Sequence, residues 1–352
     1  MIWRRCVRAA SCWNWLGVRR HPILVVLFSA GVGAATAIAL GSLAGGSRTV
    51  FHVLGDVNPA WFGVCVAAEA VAYFGYVLAL HETARIDDGP RLGLRHAMEV
   101  VAAGFGAFFA ASAAGGFEVD YWALRRAGAS RREAIRRVMG LGTLEYAVLA
   151  PAALGSALAL LAGSGKQIYP SLTLPWLLVV PGFAFAGWAT SPKRRDRLEN
   201  TQGKGRLRTM FGHGVSGVTI LRRLAENPLP HGGLAFLGTS FYWLGEVACL
   251  WASLRAFHAD VAIPALILAY ATGYVVTRRA LPAGGVGVSE ALLTFALFWL
   301  GVPFTPALLG VFSYRIFNFW LALVPAFAVT GTVRRMREGM LQADRELHAE
   351  GL

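Results

Sequence analysis

Apolar residues in this chain come in long uninterrupted runs, not in the stripes of a soluble amphipathic fold. Pro22–Ala44 carries no charge over 23 residues, enough to cross a hydrocarbon core of ~30 Å at ~1.5 Å per residue. Similar runs occupy Trp61–Leu80, Val138–Ala162, Leu172–Thr190, Leu234–Leu254, Val261–Thr277 and Pro306–Thr330. Inside a bilayer the backbone must satisfy its own hydrogen bonds, so runs of this length predict helices. One stretch breaks the pattern. LPAGGVGVSEALL, Leu281–Leu293, places a proline, three glycines and a glutamate among apolar segments.

The polar positions between the runs set a topology. Arg4, Arg5, Arg8, Arg19 and Arg20 precede the first run without an acid, which predicts a cytoplasmic N-terminal arm over 1–21, since Lys and Arg collect on cytoplasmic loops. Spans are then expected at about 22–44, 60–80, 138–162, 172–190, 232–257, 261–280 and 306–330, with a short loop at 45–59. The segment 191–231 holds nine Lys/Arg and is assigned to the cytoplasm, as is a charged tail at 333–352. Only Arg48, Lys166 and Arg255 fall outside, and Arg315 falls within the membrane. Ala97–Leu124 is too short for two spans of roughly 20 residues each, so a re-entrant pair turning at Ala113–Gly116 is expected. Phe211–Ala225 reads either as an amphipathic helix on the inner leaflet or as a solvated linker. Tyr and Trp are assigned to interfacial belts.

Composition agrees with this threading. The chain of 352 residues is 56% hydrophobic and 15% charged, with a mean hydropathy of +0.52. The formal charge of +13 is read as topology and not as a nucleic-acid footprint. Cys6, Cys12, Cys65 and Cys249 show no metal or disulfide spacing, and no cofactor is expected.

Two windows share an order of features. AAGGFEVDYWALRRAG and PAGGVGVSEALL each carry Gly-Gly, then an apolar half-helix, a glycine turn and a full span. The threading orients units 97–162 and 265–330 oppositely, the inverted-topology repeat of many transporters. The fold class is therefore an all-α polytopic membrane protein of about eight transmembrane helices plus re-entrant half-helices, in one domain over 22–332.

Ionisable groups at membrane depth are the candidate functional residues. They are Glu69, Glu99, Glu118, Asp120, Glu145, Glu246, Glu290 and Arg315. Glu118 and Asp120 follow Gly115 and Gly116; Glu290 follows Gly284, Gly285 and Gly287. At helix starts such acids cap free N–H groups, and the same N–H groups suit an anion. Arg315 is expected either to meet a phosphate or to form a buried ion pair with Glu290 or Glu246. Asn318 completes the candidate substrate-binding set.

These residues also carry a resemblance. Pro282, Gly284, Gly285, Gly287 and Glu290, the Gly301-Val302-Pro303 turn and Arg315 resemble the C-terminal signature of the lysylphosphatidylglycerol synthase/flippase transmembrane family. The first-half signature is altered here: a proline is missing and Phe117 separates Gly116 from Glu118. The resemblance implies a bundle that moves lipids between leaflets of a bacterial inner membrane, with both termini cytoplasmic. Membrane lipids, phospholipid or isoprenoid-type, are the implied partners, with lipid-synthesis enzymes as further candidates. The chain ends about twenty residues after its last span, so the aminoacyl-transferase domain of some members is expected to be absent. The alternatives are a membrane transferase acting on a lipid or lipid-linked donor and a non-transporting partner of a lipid-synthesis complex; His81, His96, His213 and His231 show no ligand spacing that would favour the transferase.

Overall fold

The computed structural model describes residues 22–43, 47–163, 170–189, 191, 217–227, 231–275, 285–326, 328–329 and 338, without the side chains of 22–28, 43, 47, 109–114 and 189. The N-terminal arm, Pro282, Gly284 and nearly all of the C-terminal tail lie outside them. The described residues are helical, with no strands. In chain order the elements are α1 (Pro22–Leu43), α2 (Ser47–Gly55), α3 (Ala60–Arg85), α4 (Leu94–Arg126), α5 (Arg131–Gly163), α6 (Pro170–Ala189), α7 (217–226), α8 (Gly233–Ala256), α9 (Ile263–Ala269), α10 (Val288–Trp299) and α11 (Phe304–Arg315). Two π-helical runs continue α9 and α11, Tyr270–Val275 and Ile316–Leu321. Prolines open several helices, at Pro22, Pro170 and Pro264, where the missing N–H costs nothing.

Among the described residues, five helices are long and apolar enough to cross a membrane: α3, α5, α6, α8 and the Phe304–Ala326 run. Shorter apolar stretches among them are Ser29–Ser42 within α1, Ile263–Val275 and Val288–Trp299. Large apolar side chains remain exposed, among them Phe74, Leu178, Leu244 and Val324.

The centre of the bundle is the crossing of α3 and α8. Small residues let the backbones touch. A Cβ placed on Gly75 would lie 2.5 Å from the Tyr242 nitrogen and 2.6 Å from the Gly238 oxygen. One placed on Gly245 would lie 2.6 Å from the Ala72 nitrogen. This is the small-residue packing by which membrane helices approach closely.

Several expectations change. The loop expected at 45–59 contains α2. Gly115-Gly116 does not open an element of its own: both glycines, with Glu118 and Asp120, lie within the 33 residues of α4. Yet α4 is not straight. A Cβ on Gly116 would lie 3.7 Å from the Gly104 oxygen, whereas twelve residues of straight helix span about 18 Å. The helical run therefore doubles back between these two glycines. Its arms share one apolar cluster, with Ala97, Val100 and Val101 packed among Val119, Ala123 and Leu124.

Two turns have the same construction. α4 ends at Gly128 (φ 99°), where Ala129 N–H reaches the Leu124 oxygen at 3.0 Å. α10 ends at Gly301 (φ 99°), where Val302 N–H reaches the Leu297 oxygen at 3.0 Å. Both are Schellman caps with a left-handed glycine. His258 (φ 59°) occupies the same position after α8, and its ring bonds the Asp56 oxygen at 2.8 Å.

The described part of the expected amphipathic segment lies in the helix α7, so it is not a solvated linker, and its apolar face packs on the protein. Ile220 and Leu224 are buried against Leu144, Ile86 and Ala235. Arg223 pairs with Asp87. Nearby, Arg137 caps the end of α3: its Nε donates to the Ala84 oxygen (3.0 Å) and its Nη2 to the Ile86 oxygen (2.9 Å). Glu82 is buried there between His81 (3.0 Å) and His231 (2.5 Å).

Candidate functional site

The helix break at Gly285–Gly287 is built from backbone conformation first. Gly285 and Gly287 have φ of 70° and 90°, a region costly for residues with a Cβ. Gly287 also abuts α1, where an added Cβ would lie 2.9 Å from Thr36 Oγ1. α10 starts at Val288, so Glu290 falls in its first turn.

Glu290 serves both roles foreseen for it. Its Oε2 accepts the Gly287 N–H at 2.6 Å, closing the helix start. Its Oε1 accepts Arg315 Nε at 2.5 Å. Arg315 is 2% exposed and its guanidinium lies 4.1 Å from the centre of the Phe319 ring. The structure thus places Arg315 in the ion pair, one of its two expected arrangements. Its Nη1 donates to Tyr274 Oη at 2.8 Å.

From Tyr274 the network crosses the bundle. Tyr274 Oη donates to Asn318 Oδ1 at 2.5 Å, and Asn318 Nδ2 donates to Glu246 Oε2 at 2.6 Å. The same Glu246 oxygen accepts Tyr314 Oη at 2.5 Å and Tyr270 Oη at 3.0 Å. The chain Glu290–Arg315–Tyr274–Asn318–Glu246 ties α10, α11, both π-helical runs and α8 together. Buried polar groups need such mutual satisfaction, because each lost partner leaves a desolvated group. The π-helical runs supply Tyr270, Tyr274 and Asn318; π-bulges are frequent at functional sites.

A cavity of about 270 Å³ borders this network. Glu246 and Asn318 form part of its wall, with Glu69 and Tyr73 of α3 and Phe105 of α4. Val66 and Val324, 50% and 64% exposed, also line it. The cavity therefore borders exposed apolar residues, and Glu69, Glu246 and Asn318 are the polar members of its mostly apolar lining, with Tyr73.

Glu290, Arg315 and Asn318 are brought together. Glu145 is buried in α5, where its backbone oxygen accepts Trp243 Nε1 at 2.8 Å. Gly115, Gly116, Glu118 and Asp120 lie on the returning arm of α4, and the adjacent Phe117 packs on Gly142 of α5. Glu246 and Glu69 carry more of the site than their sequence context suggested. The tyrosines were misassigned: Tyr270, Tyr274 and Tyr314 are fully buried, not interfacial. The i, i+4 spacing of Tyr270 and Tyr274, and Tyr314 beside Arg315, were the available signals.

No curated protein matches the chain. A family model does: that of the lysylphosphatidylglycerol synthase TM region matches residues 15–326, and with most of its length covered the chain belongs to that family.

Proposed function

We propose that this protein is a lipid transporter of a bacterial inner membrane that passes a lipid headgroup through the Glu69–Glu246–Asn318 cavity while the tails stay in the bilayer. The observation that carries this reading is the cavity itself, whose mostly apolar wall includes the polar residues Glu69, Glu246 and Asn318 and reaches out to the exposed Val66 and Val324. A headgroup needs the first property and an acyl chain the second. Family membership supports a membrane domain concerned with lipid; the substrate belongs to the site and not to the fold.

The reading includes alternating access between two inverted repeats. The doubled-back α4 supports a re-entrant element, and the matching caps at Gly128 and Gly301 support a repeat. Irregular backbone at membrane depth is tolerated where protein or a wet cavity covers it, and Gly285–Gly287 meets that condition. Arg315 acts as a positioning residue that fixes Tyr274 and, through it, Asn318.

Proteoliposomes with fluorescent lipids of several headgroups test the proposal. For the transported headgroup, Glu246→Gln and Glu69→Gln are each expected to slow exchange about tenfold or more, on the order of one charge-assisted hydrogen bond of ~1.5–3 kcal/mol. Unchanged rates in both folded variants, across all headgroups, would remove the cavity from the pathway.

A further inference from the structure

A second cavity, of about 530 Å³, lies elsewhere in the molecule, and no residue of the first lines it. Three helices form it: α5 through Ala147 and Pro151, α6 through Val180 and Phe183, and α7 through Val218 and Arg222. Its volume falls in the ~300–1,000 Å³ range of small-ligand sites. The walls are almost wholly apolar, so the body of any ligand must be apolar too.

The rim differs. Arg222 stands there with Trp188 and Ser191 at the end of α6. Trp188 is 58% exposed, as befits a ring at a membrane–water boundary. Among the described residues Arg222 is paired along its own helix, with Glu226 at 2.6 Å, and both side chains are partly exposed. Such a surface pair is weak and exchanges readily for another anion. The helix presenting Arg222 is nonetheless fixed. Leu224 is fully buried, Ile220 abuts Gly140, and Arg223 is held by Asp87.

We infer that this groove binds an anionic phospholipid, one acyl chain lying along Pro151, Val180 and Phe183 and the phosphate meeting Arg222. The apolar walls select a lipid over free phosphate, and Arg222 at the rim selects an anionic headgroup over a zwitterionic one. The site is separate from the central cavity and does not depend on the transport reading.

Native mass spectrometry of the full chain, equilibrated with equimolar phosphatidylserine and phosphatidylcholine of identical chains, tests the inference. Wild type is expected to retain one phosphatidylserine in preference to phosphatidylcholine by about fivefold, the contribution of one basic residue near an anionic headgroup. Arg222→Gln erases that preference and Arg222→Lys keeps it. Ala147→Phe, which fills the groove, lowers retention of both lipids. Equal retention of the two lipids by wild type, or a preference that survives Arg222→Gln, overturns the proposal. So does displacement by millimolar inorganic phosphate, which would mark a free-anion site. Loss of the preference in Glu246→Gln would move the bound lipid to the central cavity; there it would bear on transport and not on this groove.

Discussion

Arg315→Ala is expected to destabilise the folded protein by about 3–5 kcal/mol, the scale for removing one partner of a buried ion pair. The cause is what stays behind. Glu290 is 3% exposed and would keep its bond to Gly287 N–H while losing its only guanidinium. Tyr274 would lose the donor that orients its hydroxyl toward Asn318. The companion variant separates these costs. Arg315→Met combined with Glu290→Gln removes both charges, keeps an acceptor for Gly287 N–H, and preserves most of the packed volume. Replacing a buried pair by neutral groups is often close to neutral, so the double variant is expected to recover most of the loss. Thermal unfolding in detergent, followed by tryptophan fluorescence, reads both. A double variant no more stable than Arg315→Ala would show that the stacking on Phe319, and not the charge pair, holds this region.

The second large effect concerns the α3–α8 crossing. Gly245→Val forces a branched side chain into a place where even a Cβ would overlap the Ala72 nitrogen. Backbone cannot step aside as a flexible side chain can, so the expected cost is about 3 kcal/mol, the upper part of the overpacking range. Gly63 provides the control. It lies in α3 itself, yet a Cβ there meets nothing within 4 Å. Gly63→Val is expected to change stability by less than about 0.5 kcal/mol beyond its helix propensity. Yield of monodisperse protein and the unfolding midpoint measure the contrast. Equal losses at the two positions would mean that the crossing is looser than its geometry.

What the chain disclosed in advance follows from one rule: charge is expensive in oil. Glu290 and Arg315 were conspicuous because each needs a reason at membrane depth, and the structure supplies it in their pairing. The glycines beside them were legible for a related reason, since breakers in an apolar segment announce a turn, and Gly285 and Gly287 do have positive φ. Most long apolar runs became helices for want of any other way to satisfy the backbone. Tyr270, Tyr274 and Tyr314 were not legible. An aromatic residue suits both a membrane interface and a buried network, and hydropathy does not say which way a helix faces. Gly75, Gly238 and Gly245 were hidden among 41 glycines, because close approach depends on a partner helix about 160 residues away in sequence. The turn in α4 was expected from length alone. Its place, between Gly104 and Gly116 within α4, depends on packing that AAGG does not encode by itself.

The touching backbones of α3 and α8 have a mechanical consequence. Where atoms of one main chain rest on those of another, no rotamer can absorb displacement, so the two helices form a stiff axle. Movement around that axle has to be taken up where the hydrogen-bond ladder already has slack, in the π-helical runs at Tyr270–Val275 and Ile316–Leu321. Glu246 rides on the axle, while Tyr270, Tyr274 and Asn318 sit on the pliable runs. A swing of either run would therefore open or close the contacts to Glu246 and leave the position of Glu246 itself unchanged.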